Sequence, residues 1–194
     1  MGQKTSKTKL MLIEVARMLF AKHGKNNVTM NDIAEASSKG RRTLYTYFKS
    51  KEEVYKAVIS NELNLVFQRL KHVWEEKGEP DVKLTRYILT HLDAVKEAVS
   101  RNGSLRSDFF MDIYAVERAR RPVDVKEIGF IRDILTDGVE KRIFKRMDVD
   151  LSAVIILYAI KGLEVPYIRQ NINSVFEKNK NSIVDFVLTG IKKT

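Results

Sequence analysis

Leu12, Ile13, Ala16, Leu19 and Phe20 recur at three- and four-residue spacing, the period of a helix with one apolar stripe. The stripe predicts a first helix from about residue 8 to 23, ended by Gly24, with Lys22 and His23 in its last turn where cations complement the helix dipole. Val28-Thr29-Met30-Asn31-Asp32-Ile33 then reads as a helix start. Thr29 is the N-cap, Asp32 the acid three residues on, and Val28 and Ile33 form a hydrophobic staple. This second helix is short, about 30 to 36, because Ser37-Ser38-Lys39-Gly40 interrupts it.

A third short helix, about 41 to 47, keeps Leu44 and Phe48 on its inner face. At 100° per residue, Arg42, Thr43 and Thr46 then point away, with Tyr45 and Tyr47 on the flanks. Ser50 and Glu53 frame the capping box of a fourth helix that reaches about Lys77, where Gly78 and Pro80 stop it. At ~1.5 Å per residue it is roughly 40 Å long, enough to join two domains. Beyond it the pattern predicts helices at about 81–101, 104–121, 124–146, 150–170 and 174–191. Pro122 with Asp124 and Glu127 marks one break, and Ser174 with Glu177 another start; Pro166 kinks or shortens the helix that holds it. The fold class is all-α, with about nine helices. The domains are 1–51, a three-helix head, and 52–194, a helical body.

Composition removes several function classes. There is no cysteine, so disulfide frameworks, zinc ribbons, iron–sulfur clusters and thiol catalysis are excluded. His23, His72 and His91 lack metal-ligand spacing, and no glycine-rich phosphate loop or nucleophile elbow occurs. No catalytic residue, metal or cofactor is expected, and the chain is not read as an enzyme. The longest apolar run, Val154 to Ile160, is far below the ~20 residues of a membrane helix. No membrane partner is expected, and a cytoplasmic location is.

Of the net charge of +10, residues 1–51 supply +8, with 11 basic side chains against 3 acidic ones. Such asymmetry fits a nucleic-acid-binding end on a neutral body; by charge alone, a solvated basic face fits as well. The helix pattern adds to it. Two short helices across a tight turn, behind a longer one, describe a helix-turn-helix whose second short helix is sized for the major groove. Arg41 and Arg42 occupy the first turn of that helix, where positive charge opposes the dipole unless a polyanion lies in front.

Thr29-Met30-x-Asp32-Ile33-Ala34-x-Ala36 and Thr43-Leu44-Tyr45-Thr46-Tyr47-Phe48-Lys49-Ser50-Lys51-Glu52-Glu53-Val54 closely resemble the tetracycline-repressor-like (TetR) family. The resemblance covers about residues 8 to 60. The chain departs at the turn, where Ser38, Lys39 and Gly40 stand at positions that are commonly Gly, Val and Ser. It implies a ligand-responsive regulator, a repressor, that binds a palindromic double-stranded operator as a homodimer and is released by a small-molecule effector. A sequence-nonspecific architectural DNA-binding protein is the competing reading.

The same resemblance implies DNA contacts at Thr29, Lys39, Gly40, Arg41, Arg42, Thr43, Tyr45, Tyr47 and Lys51, with the arginines reading bases and Thr29 and Lys51 holding phosphates. It implies an effector pocket beside the fourth helix, with Phe67, Trp74, Tyr87, His91, Phe109, Phe110 and Tyr114 as wall candidates. Leu151, Val154, Ile155, Tyr158 and Gly162 form one apolar stripe, and Ile183, Phe186, Val187 and Gly190 another. By pattern these are core or interface; by resemblance they are the dimer interface.

Overall fold

The computed structural model describes residues 6–103, 113–168 and 180–193. Among them are eight α-helices and no strand: α1 (Lys7–His23), α2 (Met30–Ala36), α3 (Arg41–Tyr47), α4 (Lys51–Glu75), α5 (Pro80–Arg101), α6 (Ile113–Glu140), α7 (Val149–Ile168) and α8 (Lys180–Ile191). The first four follow the sequence pattern almost residue for residue. Ser6 caps α1, its hydroxyl accepting from the Lys9 N–H at 3.1 Å, and Gly24 ends it at a φ of 80° that favours glycine.

Contacts divide the chain into two units, Met1–Asn64 with Ala98–Ala119, and Leu65–Glu97 with Arg120–Thr194. The division passes through α4 rather than before it. The reason lies in the core of the first unit, where Val54, Tyr55, Val58 and Ile59 of α4 are buried with Leu12, Phe20, Ile33, Leu44 and Phe48. In the same unit Asn102 is fully buried, and its side-chain N–H donates to Glu62 Oε2 at 2.8 Å. Arg101 bonds the same oxygen, and the Arg101 carbonyl accepts from Arg17 Nη1 at 2.8 Å.

The second unit buries Leu70, Leu84, Ile88, Leu92, Ile131, Leu135 and Leu157. Here two expectations are corrected. Pro122 does not divide two helices: α6 runs through it from Ile113 to Glu140. Pro122 is exposed, and the helix continues through it although the ring supplies no N–H to the helical ladder. Asp124 and Glu127 are accordingly not a helix start; both are buried. The same helix stops at Glu140 rather than near 146, because Gly138 meets the Phe144 ring so closely that a Cβ there would lie 2.0 Å from it. Arg142 turns the chain at a φ of 60°. The predicted start at Ser174 and Glu177 lies outside the described residues.

Candidate nucleic-acid interface

The head is assembled by local hydrogen bonds before any ligand is considered. The Thr29 hydroxyl accepts from the Asp32 N–H at 3.2 Å, and the Asp32 carboxylate accepts from the Thr29 N–H at 2.8 Å. This reciprocal cap satisfies two helix-terminal donors, and the Thr29 N–H bond, then its hydroxyl, holds the Asp32 carboxyl below its ordinary range. α2 ends on Ser37, whose hydroxyl donates to the Ala34 carbonyl at 2.9 Å. Ser38 then takes a φ of 53°, the left-handed turn that glycine adopts more easily. The Lys39 N–H closes the turn on the Ala34 carbonyl at 3.1 Å.

α3 starts at Gly40, which offers no side-chain cap. Leu44 is fully buried and Phe48 nearly so; this anchoring leaves Arg41, Arg42, Tyr45 and Thr46 on the exposed side. Arg41 Nε donates to Asn31 Oδ1, tying α3 back to α2, while the exposed Arg42 guanidinium has no partner among the described residues. Thr43 and Tyr47 are half-buried. Tyr47 packs on the core and its hydroxyl accepts from Ser6 Oγ at 3.2 Å.

Lys51 occupies the start of α4, and its ammonium donates to the carbonyls of Lys25 at 3.0 Å and Asn26 at 3.3 Å. It therefore couples α4 to the turn before Thr29. Half of the predicted box at Ser50 forms, the Glu53 N–H donating to Ser50 Oγ at 3.3 Å, while the Glu53 carboxylate accepts from the Lys49 N–H at 2.7 Å in place of the Ser50 N–H. The structure thus places Thr29, Lys39, Gly40, Arg41, Arg42, Thr43, Tyr45 and Tyr47 in one helix-turn-helix, with Lys51 at the start of the helix that follows it. Sequence reading missed Asn31, Ser6 and Lys25 as their supports.

The wall candidates of the second unit separate into two groups. Phe67 and Trp74 stack on Phe130, at ring centroid distances of 5.5 and 4.6 Å, and Trp74 Nε1 donates to Asp133 at 3.1 Å. Tyr87 and His91 are buried in a charged cluster that the sequence reading did not name. His91 stands between Glu127, at 3.0 Å, and Glu164, at 2.7 Å. Arg120 binds Glu164 with both terminal nitrogens at 2.6 Å, and Tyr87 donates to Glu127 at 3.3 Å. Lys161 pairs with Asp124 at 2.7 Å.

Burial alone would lower the His91 pKa, but the bonds and charges of the two glutamates outweigh it and raise it to about 9. Burial would raise Glu164, but Arg120 and then His91 outweigh it and hold it at about 2. Phe109, Phe110 and the side chain of Tyr114 lie outside the described residues.

Leu151, Ile155 and Tyr158 of α7 are 56, 58 and 55% exposed, and Phe186 of α8 is 84% exposed. Gly162 and Gly190 are exposed, and Val154, Ile183 and Val187 half-buried. The opposite side of α7, Ala153, Ile156, Leu157 and Ile160, is buried. The helix is thus apolar on a face that no described residue covers. Among the described residues no helix is long and apolar enough to cross a membrane, and no group of acidic or histidine side chains is placed to hold a metal ion.

Residues 12–58 match the profile described as bacterial regulatory proteins, tetR family. The HTH-type transcriptional repressor KstR2 of Mycolicibacterium smegmatis is 28% identical, covering 72% of this chain and 69% of its own. The probable acrEF/envCD operon repressor of Escherichia coli K12 is 24% identical over 94% of this chain and 86% of its own. Among solved structures, a transcriptional regulator from Cytophaga hutchinsonii shares the fold at a TM-score of 0.81 and 22% identity, covering 97% of this chain and 100% of that one. A SmeT–triclosan complex does so at 0.74 and 14%, covering 97% and 93%. KstR2 and the acrEF/envCD protein are named as repressors, and the Cytophaga protein as a transcriptional regulator. The capped helix-turn-helix at the N-terminal end is thus the segment of the chain, residues 12–58, that matches the tetR family of bacterial regulatory proteins.

Proposed function

We propose that the chain is a homodimeric transcriptional repressor that binds a palindromic operator and leaves it when a small-molecule effector binds the second unit. The observation that carries this reading is α3. Its inner residues Leu44 and Phe48 are buried, so the backbone is fixed, while Arg42 and Tyr45 stand free on the outer side. A guanidinium so placed reads guanine bidentately, and hydroxyls serve phosphates or base edges. Lys39, Gly40, Arg41 and Thr43 flank the same surface, with Thr29 and Lys51 at phosphates. Lys51 keeps one ammonium hydrogen for this after its two carbonyl bonds.

The exposed faces of α7 and α8 supply the twofold interface, in which a second copy covers Leu151, Ile155, Tyr158 and Phe186. Two heads then read half-sites ~34–36 Å apart. Repression is supported by the names of the relatives, and an effector by the triclosan held in the SmeT complex. The effector works by differential affinity for the two states; ~5.5 kcal/mol swings a population from 1:99 to 99:1.

The test is binding to the chain's own upstream duplex against a scrambled duplex, across a salt series. A preference of ~10³-fold or more with a steep salt slope supports the repressor. Equal affinity for both duplexes favours an architectural protein, and no binding at low salt ends the DNA-binding reading.

A further inference from the structure

A cleft of about 280 Å³ lies between α4 and the start of α6, within the first unit. Lys56, Ser60 and Arg118 supply its polar lining, and Ile59 and Ala119 part of its apolar lining. Glu52 lines it too, but its carboxylate is held by Lys25 Nζ, 2.9 Å from Oε1 and 3.0 Å from Oε2. That ammonium also sits 4.1 Å over the ring of Tyr55, another lining residue. Glu52, the one acid among the described lining residues, is therefore already paired. Neither Lys56 nor Arg118 has an ion-pair partner among the described residues.

Two like charges that share a partly enclosed space raise each other's energy, and a bound anion converts that repulsion into attraction. Arginine brings a planar fork suited to a carboxylate or phosphate, and lysine a point charge that completes it. At ~30 Å³ per water-sized group, the cleft holds roughly nine or ten non-hydrogen atoms. We propose that it binds a small organic anion: a carboxylate or phosphate monoester gripped by Lys56 and Arg118, with the Ser60 hydroxyl donating a hydrogen bond. The body of the ligand lies against Ile59 and Ala119. This site belongs to the unit that carries the helix-turn-helix, and is distinct from an effector pocket in the second unit.

The experiment is a ligand-observed NMR titration of the full chain with benzoate and with phenyl phosphate. Phenol and benzylamine serve as neutral and cationic controls. Both anions, or one of them, bind saturably while the controls do not; which one binds assigns the head group. Lys56→Gln and Arg118→Gln each weaken that binding about tenfold, with melting temperature unchanged. Absence of saturable binding at millimolar anion, or binding that both variants leave unaltered, overturns the proposal. So does a result in which no anion binds and the variants instead weaken duplex DNA binding with a shallower salt slope, since the occupant is then a DNA phosphate. Operator binding measured in the same buffer stands or falls separately, so failure here leaves the repressor reading untouched.

Discussion

His91 Nε2 lies 2.7 Å from Glu164 Oε1 while its Nδ1 lies 3.0 Å from Glu127 Oε2. A neutral imidazole has one N–H, so it satisfies one of these carboxylates and turns a lone pair on the other. The imidazolium, with an N–H on each nitrogen, satisfies both. Because the folded pKa is raised to about 9 from 6.5, the stabilisation is fully present below about pH 6.5 and is lost as pH rises through about 9. Glu164 works at the other end. Its pKa is lowered to about 2 from 4.5, so its contribution is present above about pH 4.5 and lost as pH falls through about 2. Tm measured from pH 5 to 10 falls at the alkaline end, and His91→Leu removes that fall. At pH 7 the variant is less stable by ~3–5 kcal/mol, since it leaves two buried carboxylates short of a partner.

Ser38 holds a φ of 53°, a conformation that costs a non-glycine residue ~1–2 kcal/mol. Ser38→Gly removes that cost and gives back part of it as unfolded-chain entropy. The net expectation is a gain of about 0.5–1 kcal/mol in urea denaturation.

Gly138 admits no side chain, because an added Cβ meets Phe144 ring carbons at 2.0 and 2.3 Å. Phe144 is 2% exposed and has little room to retreat. Gly138→Ala lowers stability by ~1–3 kcal/mol, and combining it with Phe144→Leu recovers part of the loss. Chemical denaturation of the two variants checks both statements.

In the proposed operator complex, Arg42 reads a base and Lys51 holds a phosphate, and two variants separate these roles. Arg42→Ala costs ~1–3 kcal/mol on the preferred duplex, relaxes specificity at one position, and leaves Tm unchanged. Lys51→Ala weakens all duplexes alike and reduces the salt slope by about 1. It also lowers Tm, since it breaks the bonds to Lys25 and Asn26. Fluorescence anisotropy across salt separates the two variants.

Phe186, 84% exposed, tests the dimer. Phe186→Glu with Ile155→Glu places charges on the proposed twofold contact, and sedimentation then reports monomers. Operator affinity falls with dimerisation, while melting temperature at fixed low concentration changes little.

The head was legible because its signals are local: caps, a staple, a turn and a four-residue apolar spacing lie within a few residues of one another. α6 was not, because a proline inside a helix costs stability without forbidding the helix, and tertiary packing decides whether the helix continues past Pro122. The charged cluster had a signal that went unread. Glu127 shares a stripe with Phe130, Ile131 and Ile134, Glu164 one with Ile160, Leu157 and Ala153, and His91 one with Ile88, Tyr87 and Leu84. A carboxylate on an apolar stripe requires a buried partner, but which stripes meet is a tertiary fact. Likewise Tyr87 and His91, read as pocket walls for their rings, stand with their polar atoms bonded to Glu127 and Glu164.

Val54, Tyr55, Val58 and Ile59 make the first turns of α4 part of the head's own core. A chimera joined between residues 51 and 52 would graft the reading helices without the wall they fold against. Four apolar anchors would come from the recipient instead, and their fit would decide whether the transplant binds anything. A seam placed after residue 64, keeping those anchors with their donor, preserves the packing. Exchange of DNA specificity between such proteins, in the laboratory or in descent, is therefore constrained at the connector as strongly as at the residues that touch bases.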